Sequence, residues 1–331
     1  MPRTKSTLAH RRLAWIVVWY VGAVILLGAV VRVTGSGAGC GKYWPTCQGE
    51  VFHLPRHLET LIELSHRVTS ALSFIAVVLV VVLFRKQFVK RHPARSFAEY
   101  ALLFVIIESL IGAVLVLFGL VVGDRSLARA VMVPVHLANA SLLMGSLVLA
   151  AHFCDGESSR APQGRSREAT TIRWVLVGLL ATSMLGAVTA LGDTLFPPNT
   201  RLSLAHRLLI EESAPTHFLE KLRIIHPLVA TATSLFALKI ALFLAQEPAL
   251  SSRLRRTAWA ATAITGLQLG AGCLNVWLGA PAPVQILHLG LALLLFCLFV
   301  RLWADSCELS NSTPPEHQSH QRPIERRDIR A

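Results

Sequence analysis

Long runs of hydrophobic residues, separated by short polar segments, follow one another along most of the chain. Eight of these runs match the ~17–25 residues that a helix needs to cross a hydrocarbon core of ~30 Å. They cover 13–33, 62–84, 98–120, 130–153, 172–192, 221–245, 257–279 and 283–303. The pattern predicts an all-α polytopic membrane protein with eight transmembrane helices, in which a Gly-Ala-Pro-Ala-Pro turn divides the last two.

The composition and the placement of charge fit a bilayer protein. Hydrophobic residues make up 53% of the chain and charged residues 15%, against about 25% charged residues in soluble domains. The net charge of +13 comes from Arg and Lys in alternate connecting segments: the N-terminus, 85–95, 160–173, 253–256 and the tail. These segments share one side if there are eight spans, and the positive-inside bias makes that side cytoplasmic. We therefore expect a multi-pass plasma-membrane protein with both termini inside and no nucleic-acid partner.

The chain carries an internal repeat. Leu27-Gly28-Ala29-Val30 recurs as Leu185-Gly186-Ala187-Val188, and Ile111-Gly112-Ala113 recurs as Leu269-Gly270-Ala271. Four spans per half preserve orientation, so we expect two fused four-helix bundles related by a pseudo-twofold axis along the membrane normal. The predicted division is an N-terminal bundle (1–155), a cytoplasmic linker (156–171), a C-terminal bundle (172–304) and a disordered cytoplasmic tail (305–331).

Four histidines, His66, His136, His226 and His288, occupy matching positions of the repeat. Each lies four to six residues inside the outer end of an even-numbered span, which places the imidazoles roughly 6–9 Å below the outer helix ends. One membrane histidine is usually a packing residue, but four at one depth indicate function. Paired neutral imidazoles suit the axial positions of haem iron, whereas zinc would need further ligands at this depth. We expect a haem between the first two histidines and another between the last two.

The residues around the histidines differ between the halves. Glu63 precedes His66 by three residues, while Arg223 holds the equivalent place in the second half. Glu63 either transfers a proton at a reacting carbon or forms an ion pair with Arg67 one helical turn away; the spacing alone favours neither. Arg32, Arg67 and Arg223 are candidate partners of haem propionates, or else ordinary interfacial residues.

The first outer loop carries Cys40 and Cys47 on the oxidising side, so we expect a disulfide there, either as a structural staple or with a redox role. Glu108 lies near mid-membrane and needs a partner that the sequence does not name. Four other histidines are read as solvated loop residues: His53, His57, His206 and His217.

Three motifs together resemble the haem A synthase family. They are Thr34-Gly35-Ser36-Gly37 leading to Cys40 and Trp44-Pro45-Thr46-Cys47, then Glu63-Leu64-Ser65-His66-Arg67, and then the segment 190–197. The resemblance extends to about residue 303. One feature departs from some members of the family, because 193–220 contains no second cysteine pair. A relay that needs both pairs is therefore doubtful here.

The resemblance implies a reaction and assigns roles. His66 and His136 would flank the substrate, haem O, with Glu63 as the catalytic acid. His226 and His288 would ligate a haem b cofactor. The enzyme would be an oxidoreductase acting on a methyl group, converting the C8 methyl of haem O to a formyl group and so giving haem A for terminal oxidases. A haem O synthase would be the supplier, and the electron donor is unidentified.

Two alternatives explain the same histidines. A dihaem b-type cytochrome that only transfers electrons needs four ligands but no Glu63 in one half alone. A haem carrier or assembly chaperone needs exchangeable haem and no chemistry at all.

Overall fold

The computed structural model describes residues 5–52, 54–154, 166–197 and 217–312. Within these ranges the chain is helical, with no strand beyond an isolated bridge between Cys47 and Glu50. The helices are α1 (Lys5–Val33), α2 (Leu58–Gln87), α3 (Pro93–Leu117), α4 (Leu127–Phe153), α5 (Arg167–Leu195), α6 (Phe218–Lys221), α7 (Ile225–Gln246), α8 (Ser252–Leu278) and α9 (Ala282–Ser312).

Seven of these helices, α1–α5, α7 and α9, are long and apolar enough to cross a membrane. The prediction of an all-α, multi-pass membrane protein is confirmed. Helix α8 has 27 residues, about 40 Å at 1.5 Å per residue, but arginines fill its first turns and Gln268 and Asn275 interrupt its apolar surface. The eighth span therefore remains a prediction.

The helix ends follow from local sequence. The hydroxyl groups of Ser126, Ser166 and Ser251 accept hydrogen bonds from the third backbone amide of α4, α5 and α8, which satisfies donors that have no partner inside a helix. Helix α8 ends at Gly279, which adopts a left-handed φ of 75°, a conformation that glycine adopts without steric cost. This glycine places the turn between α8 and α9 where the Gly-Ala-Pro-Ala-Pro segment predicts it.

Helix contacts form two closed cycles. In the first, α1 packs on α2, α2 on α3, α3 on α4 and α4 on α1; in the second, α5, α7, α8 and α9 pack in the same order. Helices α4, α5, α9 and α1 join the cycles. The large hydrophobic core, including Phe84, Phe153 and Phe299, fills the basic end of the helices, and the four histidines lie toward the opposite end. That the cycles are symmetry-related bundles remains a prediction.

The last helix extends beyond the boundary that the sequence suggests. The tail was expected to be disordered from residue 305, but α9 continues to Ser312. Asp305, Ser306 and Cys307 are buried and continue the packed face of the helix. Asp305 Oδ1 lies 3.8 Å from His152 Nε2 of α4, a contact that polar composition alone does not reveal. The remaining tail, 313–331, lies outside the described residues.

Candidate functional site

Each of the four histidine rings lies against a glycine of the preceding long helix. A Cβ added to Gly28 would lie 3.0 Å from His66 Cε1, and one on Gly186 would lie 2.9 Å from His226 Cε1. The corresponding distances are 3.1 Å from Gly272 to His288 Cε1 and 3.9 Å from Gly112 to His136 Cε1. The repeat matched Gly112 with Gly270, but nothing lies within 4 Å of a Cβ at Gly270, so the correspondence in α8 is shifted by two residues.

The residue one turn before three of these glycines approaches the same histidine. Glu108 Oε1 lies 3.1 Å from His136 Nδ1, and Asn139 donates to Glu108 Oε2 at 2.6 Å. In the second half the matching residues are uncharged. Thr182 lies beside His226, and Gln268 Nε2 lies 3.3 Å from His288 Nε2. The partner of Glu108 was not predicted, because it lies on another helix and only the three-dimensional packing brings the two together.

The second histidine pair, His226 and His288, has the chemistry and spacing of a metal-porphyrin site. The His226 and His288 rings have centroids 6.4 Å apart and planes at 85°, so one ion with bonds of about 2 Å to each imidazole fits between them. The Nδ1 atoms of all four histidines are buried without a well-directed hydrogen bond in the described chain. Glycines opposite the rings allow helix and ring to approach closely. The residues present therefore fit axial ligation of haem, for which imidazole is a common donor.

Glu63 is buried near the N-terminal end of α2 and is held from two sides. Its Oε1 accepts a hydrogen bond from Arg67 Nε at 3.1 Å, and its Oε2 accepts one from the Cys40 backbone amide at 2.8 Å. The structure thus contains the Glu63–Arg67 ion pair that the spacing allowed. Because both residues are largely buried, this pair is more than a solvated surface contact.

A disulfide-closed loop covers Glu63. Cys40 and Cys47 are bonded to each other and buried, as expected. Arg67 donates to the Tyr43 carbonyl and, at 2.6 Å, to the Thr46 carbonyl. Thr60 of α2 donates to the Gly39 carbonyl at 2.9 Å. The loop is therefore fixed to the first turns of α2, directly above the glutamate.

All three arginines considered as partners of haem propionates form hydrogen bonds or ion pairs within the protein. Arg32 of α1 donates to the Ala190 carbonyl at 2.8 Å and to Thr194 Oγ1 at 2.7 Å, and to Gln285 Oε1 at 2.9 Å. Arg223 lies 2.8 Å from Asp193 Oδ1. Arg67, the third, binds Glu63 and the loop. Each arginine thus has protein partners, and Arg32 joins the first helix to α5 and α9.

The histidines assigned to loops have different surroundings. His57 precedes α2 and is exposed, without a capping hydrogen bond. His217 is half-buried and stacks on Phe196 with centroids 5.0 Å apart, while its Nδ1 accepts from the Leu219 amide. It is therefore not simply solvated. His53 and His206 lie outside the described residues.

A comparison with protein families decides the identity of the chain. The family model COX15-CtaA, described as cytochrome oxidase assembly protein, matches residues 11–300. The chain belongs to this family. The match covers all four histidines, Glu63, Glu108 and the disulfide loop, so these residues all lie within the part of the chain that the family shares.

Similar curated proteins carry two different names. A protein named protoheme IX farnesyltransferase from one strain of Thermus thermophilus is 43% identical over 295 residues, which are 89% of this chain and 48% of the relative; its counterpart from a second strain of that species matches equally. A protein named heme A synthase from Bacillus mycoides is 42% identical over 96 residues, 29% of this chain and 31% of the relative. The chain spans about half the length, or less, of these relatives.

Proposed function

We propose that this protein is a haem A synthase, which oxidises the C8 methyl group of haem O to a formyl group and so gives haem A for terminal oxidase assembly. His66 and His136 would hold the substrate haem O, and His226 and His288 would hold haem b. The proposal rests on one feature that the two halves of the chain share and on one feature in which they differ. The same histidine–glycine contact recurs in both halves, but the residue one turn before the glycine is an acid in the first half, where Glu108 lies 3.1 Å from His136, and is uncharged in the second half, where Thr182 and Gln268 hold the matching positions.

Glu63 is the proposed catalytic residue of the first half. Arg67 and the Cys40 amide both donate to its carboxylate, so the side chain is held in one position beneath the disulfide loop. We assign it proton transfer at the reacting carbon, as the catalytic acid that the resemblance implies, and a fixed position suits that role. Haem b, when bound, would supply one-electron transfer at a potential set by its pocket.

Glu108 serves as a positioning residue for His136 in this proposal. A carboxylate near the second nitrogen of a metal-binding imidazole fixes the ring and makes it a stronger donor. Asn139 holds the other carboxylate oxygen at 2.6 Å, which keeps Glu108 directed at the ring. Gln268 in the second half offers His288 an amide in place of a carboxyl group, so the two halves would hold their haems at different potentials.

The cellular setting follows the charge pattern. We place the protein in the plasma membrane with both termini in the cytoplasm and the histidines near the outer face. The two cycles of helices would be the pseudo-twofold bundles, 1–155 and 172–304. A haem O synthase would deliver the substrate within the bilayer, and the electron donor and the source of the formyl oxygen are unidentified.

Farnesyl transfer to protohaem is the second candidate, because the 43% identical relative carries that name. The match leaves more than half of that relative uncovered, so the name can describe its other part. A diphosphate leaving group also calls for carboxylate-bound Mg²⁺. The one group of three metal-type side chains found in the described ranges, His152, Asp305 and Glu308, lies at the opposite end from the haem-type histidines.

Chromatography of extracted haems tests the proposal. The full chain is co-expressed with a haem O supply, and haems B, O and A are separated and identified by mass. We expect haem A with the wild type and its loss with Glu63→Gln. Glu59→Gln is the matched control, since Glu59 lies one turn earlier on α2 and is exposed; it should leave haem A unchanged.

The other candidates give different products. New haem O from haem B and farnesyl diphosphate would establish farnesyl transfer. Bound haem B as the sole haem, in wild type and variant alike, would refute the synthase and favour the electron-transfer cytochrome. Haem that exchanges freely between protein and vesicles without chemical change would identify a carrier. Haem A made by Glu63→Gln would remove only the role of that residue.

A further inference from the structure

A cationic cavity lies at the basic end of the helices, far from the histidine pairs. Its volume is about 290 Å³, and it is lined by Arg11, Trp15, Trp19, Ala151, His152, Arg253 and Arg301. These residues come from α1, α4, α8 and α9, so both cycles of helices contribute. The lining contains three arginines and no carboxylate. Such a lining attracts an anion.

One of these arginines lacks a complete set of partners. The Nε of Arg301 is buried and makes no hydrogen bond in the described part of the chain. Arg253, Arg11 and Arg256 all lie near enough to repel Arg301, and Asp305 is the one acid that offsets them. A buried N–H group of a guanidinium without a hydrogen bond is costly. A phosphate oxygen pair in the cavity would complete its donors, because the guanidinium fork matches phosphate geometry.

Two carboxylates, Glu308 and Asp305, contact basic side chains of the cavity lining. Glu308 Oε1 lies 3.3 Å from His152 Nε2, and Asp305 Oδ1 lies 3.6 Å from Arg253 Nε. Arg253 also contacts the other side of the imidazole, with Nη2 3.3 Å from His152 Nδ1. A guanidinium this close opposes a divalent cation at the three metal-type side chains. The carboxylates instead hold His152 and Arg253 in place beside the cavity.

The cavity borders the lipid-facing surface. Trp19, on its wall, is 66% exposed on a helix that is apolar enough to cross the membrane. Tryptophan beside arginine is the usual composition of the membrane interface, and basic pockets between transmembrane helices on the cytoplasmic side bind lipid head groups. We propose that this cavity binds the phosphate head group of an anionic phospholipid, with its acyl chains along Trp15 and Trp19.

Lipid titration tests this site independently of any haem chemistry. The purified full chain is placed in vesicles of phosphatidylcholine, and phosphatidylglycerol is added in steps while the thermal unfolding midpoint and the retained lipid are measured. We expect the midpoint to rise with saturation and phosphatidylglycerol to remain bound after delipidation. Removing one charged hydrogen-bond partner should weaken the apparent affinity about tenfold.

Arg11→Gln and Arg12→Gln form the matched pair. The two residues are adjacent on α1, and each substitution removes one positive charge. Arg11 lines the cavity, whereas Arg12 is exposed. Arg11→Gln and Arg301→Gln should both weaken lipid binding, and Arg12→Gln should not. If the Arg301→Gln protein unfolds without lipid, the comparison of Arg11→Gln with Arg12→Gln decides the test. Equal affinity across Arg11→Gln, Arg12→Gln and wild type would overturn the proposal, as would inorganic phosphate alone reproducing the full shift.

Discussion

At the residue scale, the candidate site depends on what lies opposite each histidine as much as on the histidine itself. The sequence marked the four imidazoles by their equal depth and marked Gly28, Gly112 and Gly186 as part of the repeat, but it did not predict that these glycines face the histidines. The structure pairs Gly28 with His66 and Gly186 with His226 at contact distance. A helix can carry a ligand this close to its neighbour because the neighbour has no side chain at the point of contact.

The glycine contact predicts a sharp difference between two alanine substitutions. Gly186→Ala would place a Cβ 2.9 Å from His226 Cε1, whereas nothing lies within 4 Å of a Cβ at Gly270. We expect Gly186→Ala to displace the imidazole and to lower bound haem by at least half, and Gly270→Ala to retain it. Haem absorbance per mole of purified protein measures both. Equal haem in the two variants would contradict the assignment of His226 as a ligand.

Exchanging the side-chain types of Glu108 and Gln268 tests whether each residue acts on the histidine that it contacts. Glu108→Gln removes the carboxyl group that lies 3.1 Å from His136 Nδ1, and since such a group makes the imidazole a stronger donor and so favours oxidised iron, the potential of the first haem should rise. Gln268→Glu should lower the potential of the second. A change of about 60 mV corresponds to a tenfold shift in a one-electron equilibrium, and redox titration followed by absorbance resolves it. Unchanged potentials in both variants would mean that neither residue acts on its histidine.

At the scale of helices and loops, the sequence predicted most of what the structure shows. Hydropathy located the spans, because the bilayer requires long apolar runs, and cysteine spacing on the outer side predicted the disulfide. It did not predict that the disulfide loop donates to Glu63, since the contact joins the Cys40 amide to a residue 23 positions later. Nor did it predict the extension of α9 to Ser312, because buried polar residues resemble a solvated tail in composition.

The loop can be tested for its two alternative roles. Replacing Cys40 and Cys47 together with serine removes the cross-link, which should cost roughly 2–3 kcal/mol for a loop this short. If the disulfide is a staple, the variant unfolds at a lower temperature yet still makes haem A. Complete loss of product at a temperature where the variant is folded would instead establish a redox role. Thermal unfolding and haem chromatography on one preparation separate the two.

Helix α3 begins at a histidine whose protonation should affect stability. His92 is the N-terminal cap, and its Nδ1 accepts from the Ala94 amide at 3.2 Å. Burial lowers the pKa of His92 below its ordinary value of about 6.5. The cap therefore contributes above pH ~6.5 and is lost as the pH falls through the lowered pKa of the folded state.

A pH series checks this cap. The wild type should lose about 1 kcal/mol of stability on acidification, relative to His92→Asn, whose amide oxygen accepts a hydrogen bond at any pH. Thermal midpoints of both proteins at pH 5 and 7.5 give the comparison. Parallel pH dependence in the two would show that protonation of His92 does not matter.

At the scale of the whole molecule, the two cycles of helices are joined by apolar packing at one end and by hydrogen bonds of an arginine toward the other. Apolar packing joins them at the basic end, through the large hydrophobic core. Toward the histidine end, Arg32 reaches from α1 to α5 and α9. The sequence could not predict this link, because Arg32 resembles any interfacial arginine until its partners, more than 150 residues away, are placed beside it.

Arg32→Gln should loosen the junction between the cycles. Hydrogen bonds to a charged group contribute about 1.5–3 kcal/mol, so we expect a lower unfolding temperature and, if the cycles are separate bundles, two resolved transitions. Arg56→Gln is the control, since Arg56 is an exposed arginine of the loop between α1 and α2. Identical unfolding of both variants and the wild type would show that the junction does not depend on Arg32.

The hydrogen bonds of Arg32 to residues far along the chain also have a consequence for synthesis and membrane insertion. Its partners, Ala190, Thr194 and Gln285, are synthesised long after it enters the bilayer, and an unpaired arginine within a membrane is costly. The first helix must therefore keep this end at the water interface until the last helix arrives. A chain interrupted before residue 285 retains an arginine whose hydrogen bonds are incomplete, a chemical mark by which membrane quality control could recognise an unfinished protein.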